Sequence, residues 1–299
     1  MWFKNIQLYR LPKNRTFEIT EFEDQLARLT LQPCNASDEQ SIGWIPPREG
    51  GPLVHSVNRQ WLLALGAEQK LLPASVVKQF ANDRAKAIEE SEGRRVGRKE
   101  MRELREAMTQ ELLPRAFVRK RTTFGWIDPE HGWLAVDASS PAKAEEFLEC
   151  LYKVVDGFAV RPVKVQQSPS GAMTAWVADG SISGAFTIDQ DLELRSSENA
   201  MVRYAKHSLD GDEIRQHIMN GKVVTRLAMT WNDKISFVLN EGLQLKRLGF
   251  LDVLQEQAEG LAENEEERLD IDFTLMTGEL AQLFDHLIEA LGGEMPQES

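Results

Sequence analysis

The sequence predicts an α+β protein, with mixed or antiparallel sheets and flanking helices. Residues 222–250 hold three consecutive strand patterns, joined by Asn232-Asp233 and by Asn240-Glu241-Gly242, which are hairpin turn formers. Runs of strands stand between helical stripes instead of alternating strictly with them, which argues against a parallel βαβ array. A helix, basic strand, Trp, turn, strand series occurs twice, around Trp126 and Trp231, although no 20–50-residue repeat is convincing.

Residues 2–11 alternate in strand fashion with apolar groups on both faces, so this segment is expected inside a sheet. Thr20 is expected to cap a helix reaching Leu29, with Phe22, Leu26 and Leu29 on one side. Residues 43–47, Gly-Trp-Ile-Pro-Pro, read as a loop because consecutive prolines cannot sit in a central strand. Residues 61–65 form a short apolar strand. Beyond Pro73, Val77, Phe80, Ala81 and Ile88, and then Met101, Leu104, Met108 and Leu112, follow helical spacing. Gly93 and Gly97 each cost about 1 kcal/mol relative to Ala in a helix, so a weak joint is expected there.

A strand over 115–127 begins beyond Pro114 and pairs with 133–136 across a turn at 128–132. Pro141 starts a helix with Ala144, Phe147, Leu148, Leu151 and Val155 as its apolar stripe, and Gly157 stops it. Residues 159–165 read as a strand, 168–171 as a linker, and 201–207 as an extended segment. A helix is expected over 212–219. At the end, 270–276 reads as a strand and Thr277 caps a helix carrying Leu280, Leu283, Phe284, Leu287, Ile288 and Leu291, a stripe expected in the core.

The 299 residues carry a net charge of −12, which taken alone argues against a polyanionic partner. The acid is concentrated: residues 252–299 hold 14 acidic side chains and one basic, while the first 251 hold 34 basic and 33 acidic. Within those, 84–121 holds 12 Lys or Arg against 7 Glu. The N-terminal residues lack a signal-peptide run and no stretch approaches a membrane span, so a soluble intracellular protein is expected, with Cys34 and Cys150 as reduced thiols.

Nucleotide-loop, dinucleotide, nucleophile-elbow and zinc-protease signatures are missing. Asp128, Glu130 and His131, with Asp137 beyond, are the best metal-like group; they would serve a metal-dependent nuclease, against the plainer reading of a surface turn. Asp270 and Asp272 would share one face of an extended segment. His207 and His217 have no partner in register. No catalytic residue, metal or cofactor is assigned.

In Arg115-Ala-Phe-Val-Arg-Lys-Arg121, a period of two puts Arg115, Phe117, Arg119 and Arg121 on one face. Guanidinium groups in such a stripe reach successive phosphates without reading bases. The competing reading is a strand edge protected by charge. Arg203, Lys206, Lys222 and Arg226 extend the basic set, with Lys246 and Arg247 on a later strand.

The residues 2–11 (WFKNIQLYRL), 43–47 (GWIPP), 71–79 (LLPASVVKQ), 112–117 (LLPRAF), 126–128 (WID), 221–231 (GKVVTRLAMTW), 245–250 (LKRLGF) and 273–294 (FTLMTGELAQLFDHLIEALGGE) make the chain resemble the bacterial recombination-associated RdgC family from end to end. The resemblance implies an elongated monomer of centre, base and tip regions that closes as a homodimer into a ring around duplex DNA. It also implies binding largely independent of base sequence, restraint of RecA-mediated recombination, a part in replication-fork repair, and a place on the cytoplasmic nucleoid. Approximate sub-regions are 1–72, 73–125, 126–200 and 201–299, the second being the basic, helical, tip-like part. Arg115 and Lys206 would face DNA, joined by Arg119, Arg121, Arg203, Lys222 and Arg226, while Phe117 would pack where the ring closes. Relatives can carry Lys where this chain has Ala205, so Arg203 or His207 would partly substitute there. The alternatives are the nuclease and a regulator that contacts RecA through its acidic end.

Overall fold

The computed structural model describes residues 1–12, 17–182, 184–259 and 264–296. Among them, twelve strands and eight α-helices form an α+β protein built on one twisted antiparallel sheet. The strands are β1 (Asn5–Arg10), β2 (Gln40–Ile45), β3 (His55–Val57), β4 (Gln60–Leu71), β5 (Phe117–Asp128), β6 (Trp133–Val136), β7 (Arg161–Pro162), β8 (Phe186–Arg195), β9 (Met201–Tyr204), β10 (Val223–Trp231), β11 (Ile235–Asn240) and β12 (Leu245–Phe250). The helices are α1 (Ile19–Leu26), α2 (Ala74–Glu92), α3 (Arg98–Leu112), α4 (Pro141–Val154), α5 (Pro169–Asp179), α6 (Asp212–Met219), α7 (Asp252–Glu259) and α8 (Glu265–Ala290).

The sheet runs β2-β4-β5-β6-β1-β12-β11-β10-β8-β9, with β3 beside β4 and β7 beside β1. β1 is the hinge strand of this order. Its first residues pair with β12 (Asn5 with Lys246, Ile6 with Leu245), and Gln7 to Arg10 pair with β6. Apolar groups on both of its faces are explained by helices lying on both sides of this part of the sheet.

The adjacent residues Leu62 and Leu63 point into different cores. Leu62 joins Ile6, Trp126, Trp133, Leu227, Trp231, Phe237 and the α8 side chains Phe273, Leu280 and Phe284. Leu63 joins Phe22, Leu26, Trp44, Ile127, Leu134, Phe147 and Leu151 beneath α1 and α4. β4, β6 and the second half of β5 are therefore buried on both faces, the condition that erases a polar alternation. Those of the second half keep it: along β11, Ile235, Phe237 and Leu239 are buried, whereas Ser236, Val238 and Asn240 are partly exposed. Their buried face meets α5, α6 and α8.

Most expected elements form, and the differences have local causes. Residues 43–45 are strand, not loop: they finish β2, paired with β4, and the two prolines end it. The 61–65 strand is the start of a twelve-residue strand, β4. The first helix starts at Ile19, one residue ahead of the expected cap. The strand expected from 115 starts at Phe117, because Leu113–Arg115 completes a 3-10 turn. The 159–165 strand contracts to two residues. The expected linker at 168–171 begins α5, whose first turn is capped by Ser168 Oγ accepting from the Gly171 N–H at 3.2 Å. Residues 270–276 are not extended but continue α8, whose long buried stripe outweighs the short strand pattern. Gly93, at φ 67°, ends α2 and makes the expected joint before α3. Both residues of the Asn232-Asp233 turn have φ 53°, the two left-handed positions of a tight hairpin.

Candidate nucleic-acid interface

The face of β8, β10, β11 and β12 opposite the helices presents a cross-strand row. Arg203 on β9 lies beside Glu193 on β8, Glu193 beside Arg226 on β10, and Arg226 beside Asn240 on β11. A second row runs Ala228, Val238, Lys246, Asn5. Residues directly opposite on one sheet face have side chains within reach of one another, so the rows define a surface. Its cations are Arg195, Arg203, Arg226, Lys246 and Arg247.

Glu193, almost fully buried, sits between two of them, 3.5 Å from Arg195 and 3.6 Å from Arg226. Arg203 is exposed, and among the described residues its side chain has no acidic partner. Lys206 follows β9 in a left-handed conformation, φ 52°, with its backbone N–H donating to Asp191 Oδ1 at 2.9 Å. Lys222 precedes β10, its Nζ 3.1 Å from His217 Nδ1. Half-exposed cations paired this loosely keep donors free for phosphate.

The other predicted cluster lies elsewhere. Four strands separate β5 from β10 in the sheet order, so the structure groups Arg203 and Arg226, with Lys206 just beyond β9, sets Lys222 against His217 of α6 on the helix side, and leaves Arg115, Arg119 and Arg121 roughly 24 Å away at ~4.8 Å per strand. Phe117, Arg119 and Arg121 share a face of β5, but Arg115, on the preceding 3-10 turn, is not part of that strand stripe. Arg115 is exposed and has no acidic partner among the described residues. Arg119 donates to Gln69 Oε1 at 2.9 Å. Arg121 is bound by Glu146 of α4, which also accepts from Gln40. Phe117, paired with Leu71 at the outer end of the β4–β5 hairpin, is 84% exposed. The helical pair α2 and α3 projects from that same end, between the two strands, and is held by the small cluster of Val77, Ala81 and Met108.

The metal-like group resolves into a turn. Asp128 is 1% exposed and accepts from the backbone N–H groups of Glu130 and His131, both at 3.0 Å, and from His131 Nδ1 at 2.8 Å. That hydrogen bond from the ring holds the His131 imidazolium above its ordinary pKa, against a smaller opposing effect of burial. Asp137 instead accepts from the Lys4 and Asn5 N–H groups, anchoring the start of β1, and burial raises its pKa. Among the described residues, no group of three or more His, Cys, Asp or Glu is placed to hold a metal ion.

Asp191, Glu193 and Glu146, which organise the cations, are not marked out by the sequence. An acid within a strand carries no sign of which cation it will meet across the sheet. No described helix is long and apolar enough to cross a membrane.

Together these features define an α+β protein with a solvent-facing sheet surface rich in Arg and Lys and an exposed aromatic at the end of the β4–β5 pair. The family model described as "Putative exonuclease, RdgC" matches residues 1–294. Similar proteins named "Recombination-associated protein RdgC" include those of Dechloromonas aromatica (strain RCB), 49% identical with 99% of each chain covered, and Janthinobacterium sp. (strain Marseille), 49% identical with both chains fully covered. That of Cupriavidus pinatubonensis (strain JMP 134 / LMG 1197) is 50% identical, covering 98% of this chain and 99% of its own. The chain belongs to the RdgC family, whose relatives are named for an association with recombination.

Proposed function

We propose that this protein is a non-catalytic binder of double-stranded DNA that closes as a homodimeric ring around the duplex and restrains RecA-mediated recombination and fork repair on the nucleoid. The observation that carries the reading is the uncovered sheet face with Arg203 and Arg226 in one cross-strand row and Lys246 in the next, opposite a face packed by α8. The acidic C-terminal helix thus lies behind the sheet and the cations in front. A chain of net negative charge can bind a polyanion when its charges are separated in this way.

Arg115, Arg119, Arg121, Arg203, Lys206, Lys222 and Arg226 are the proposed phosphate contacts, with Arg121 contributing only donors not taken by Glu146. Phe117, with exposed Leu71 and Val118 beside it, is the proposed ring-closing contact at one end. Met201 and Val223, both opposite Arg195, and the 84% exposed Met219 support a second contact at the other end. Exposed apolar groups gathered at two separate places favour self-association there over a lone monomer.

Duplex affinity measured against salt tests the reading: log affinity should fall linearly with log salt, at about −0.9 per phosphate contacted, and equally for unrelated sequences. A ring should leave linear duplex in a high-salt wash and stay on covalently closed circles. Equal loss from both would overturn encirclement. Strand-exchange assays with DNA-binding variants separate action through DNA from direct contact with RecA; inhibition that survives loss of DNA binding would favour contact with RecA.

The family model's exonuclease description motivates a second reading. End-labelled linear duplex incubated with Mg²⁺ or Mn²⁺ should remain intact. Degradation that disappears in Asp128→Ala would establish the nuclease.

A further inference from the structure

Strand β8 carries an unusually large bulge. Between the Leu227–Leu192 and Met229–Ile188 pairs, β10 contributes one residue, Ala228, while β8 contributes three, Asp189, Gln190 and Asp191. Bulges re-aim side chains and are concentrated beside functional surfaces. Each bulged residue is tied to the open face or its rim. Thr230 Oγ1 donates to Asp189 Oδ2 at 2.9 Å, the His207 N–H to the Gln190 carbonyl at 3.1 Å, and the Lys206 N–H to Asp191 Oδ1 at 2.9 Å. The second oxygen, Asp191 Oδ2, lies 3.8 Å from Arg247 Nη1.

Both cations that meet Asp191 have strained backbones. Lys206 has φ 52° and Arg247 φ 54°, a conformation that disfavours any residue with a Cβ. Such strain persists where neighbouring groups over-determine it, and it gathers at sites that hold ligands. For Lys206 the over-determining groups are the Asp191 carboxylate and the adjacent bond from His207 to Gln190. Arg247 sits where the pairing of β11 with β12 shifts register, and its N–H donates to Asn5 Oδ1 at 3.4 Å. Its guanidinium remains mostly exposed, so four of its five N–H donors are available beyond the one facing Asp191.

We propose that Asp191 is a positioning residue that sets Lys206 and Arg247 as a two-cation clamp for one backbone phosphate of duplex DNA. The proposal rests on the reading that the open face binds DNA. An isolated acid on such a surface would repel phosphate; this one is offset by Arg247 and acts through the hydrogen bond that fixes the backbone carrying Lys206.

Two substitutions give opposite signs. Asp191→Ala removes both the repelling charge and the acceptor, whereas Asp191→Asn removes the charge and keeps Oδ1 as acceptor. If positioning dominates, the Ala variant binds duplex about tenfold more weakly, the size of one charge-assisted hydrogen bond. Its salt slope flattens by about 0.9 for each phosphate no longer neutralised. The Asn variant restores slope and affinity, to or above those of the unchanged protein. Amide hydrogen exchange at Lys206 and His207, measured without DNA, should quicken in the Ala variant and stay slow in the Asn variant. The proposal is overturned if Ala binds as tightly as the unchanged protein with the same slope, or if Asn loses as much as Ala. Should the unchanged protein fail to bind duplex, the DNA reading falls, and the exchange measurement still decides whether Asp191 positions Lys206.

Discussion

Arg121 Nη2 lies 2.7 Å from both carboxylate oxygens of Glu146, joining the basic strand β5 to the core helix α4. Arg115, six residues earlier, is exposed on a turn. Two arginines of one sequence motif therefore do different work. Arg121→Ala should lower stability by about 1–2 kcal/mol, since a half-buried Glu146 is left without its main partner. Arg115→Ala should leave the melting temperature unchanged and weaken binding to unrelated duplexes equally, flattening the salt slope by about 0.9 per phosphate. Thermal melts and salt titrations of both variants check the division. Sequence-dependent losses in Arg115→Ala would contradict contact with the backbone alone.

Phe117 contributes almost nothing to the monomer's core at 84% exposure, so Phe117→Ala should fold with a melting temperature near that of the unchanged protein at concentrations where both are monomeric. Its dimer dissociation constant should rise by tenfold or more, because burying a Phe side chain is worth about 1.5–3 kcal/mol and two copies are involved. Sedimentation equilibrium across a concentration series measures it.

Asp128→Ala should destabilise by about 2–3 kcal/mol, since two backbone N–H groups and a ring N–H lose their acceptor. DNA affinity should be unchanged. The pair also gives stability a pH dependence. His131 has a folded pKa raised above its unfolded value of about 6.5, so the contribution is complete below about pH 6.5 and is lost as pH rises through the higher folded value. Melts at about pH 5.5 and about pH 8.5 should show this component in the unchanged protein and its loss in Asp128→Ala.

Gly43→Ala should be strongly destabilising despite the small added volume. A Cβ at that position would collide with the backbone of Leu31 and Thr30, which cross β2 closely enough for the Leu31 N–H to donate to the Trp44 carbonyl at 3.1 Å. Overpacking against backbone costs about 1–3 kcal/mol or more, because backbone cannot rotate aside. Chemical denaturation midpoints of Gly43→Ala, set beside those of Gly97→Ala where a Cβ meets open space, test the difference.

Strong local signals are legible in the sequence. The β10–β11–β12 meander is readable because turn residues bracket alternating strands, and the α2–α3 joint because two glycines interrupt a helical stripe. The segments at 43–45, 168–171 and 270–276 mislead because short stretches carry weak preferences that pairing partners override: β4 for the first, the α5 cap for the second, and the apolar groove that α8 fills for the third.

The α+β class, the separation of basic from acidic stretches and the basic composition of 115–121 follow from sequence alone, since each depends on neighbours along the chain. Which sheet face stays open, that Arg203 and Arg226 share it, that Arg121 is held by Glu146, and that Asp191 meets Lys206 and Arg247 were decided by tertiary structure. Those relations join residues up to 56 positions apart, from Asp191 to Arg247, through pairing register, a bulge and left-handed backbone angles. A one-residue slip in register moves every side chain of a strand to the opposite face, so charge content can be read along the chain while charge placement awaits the assembled sheet.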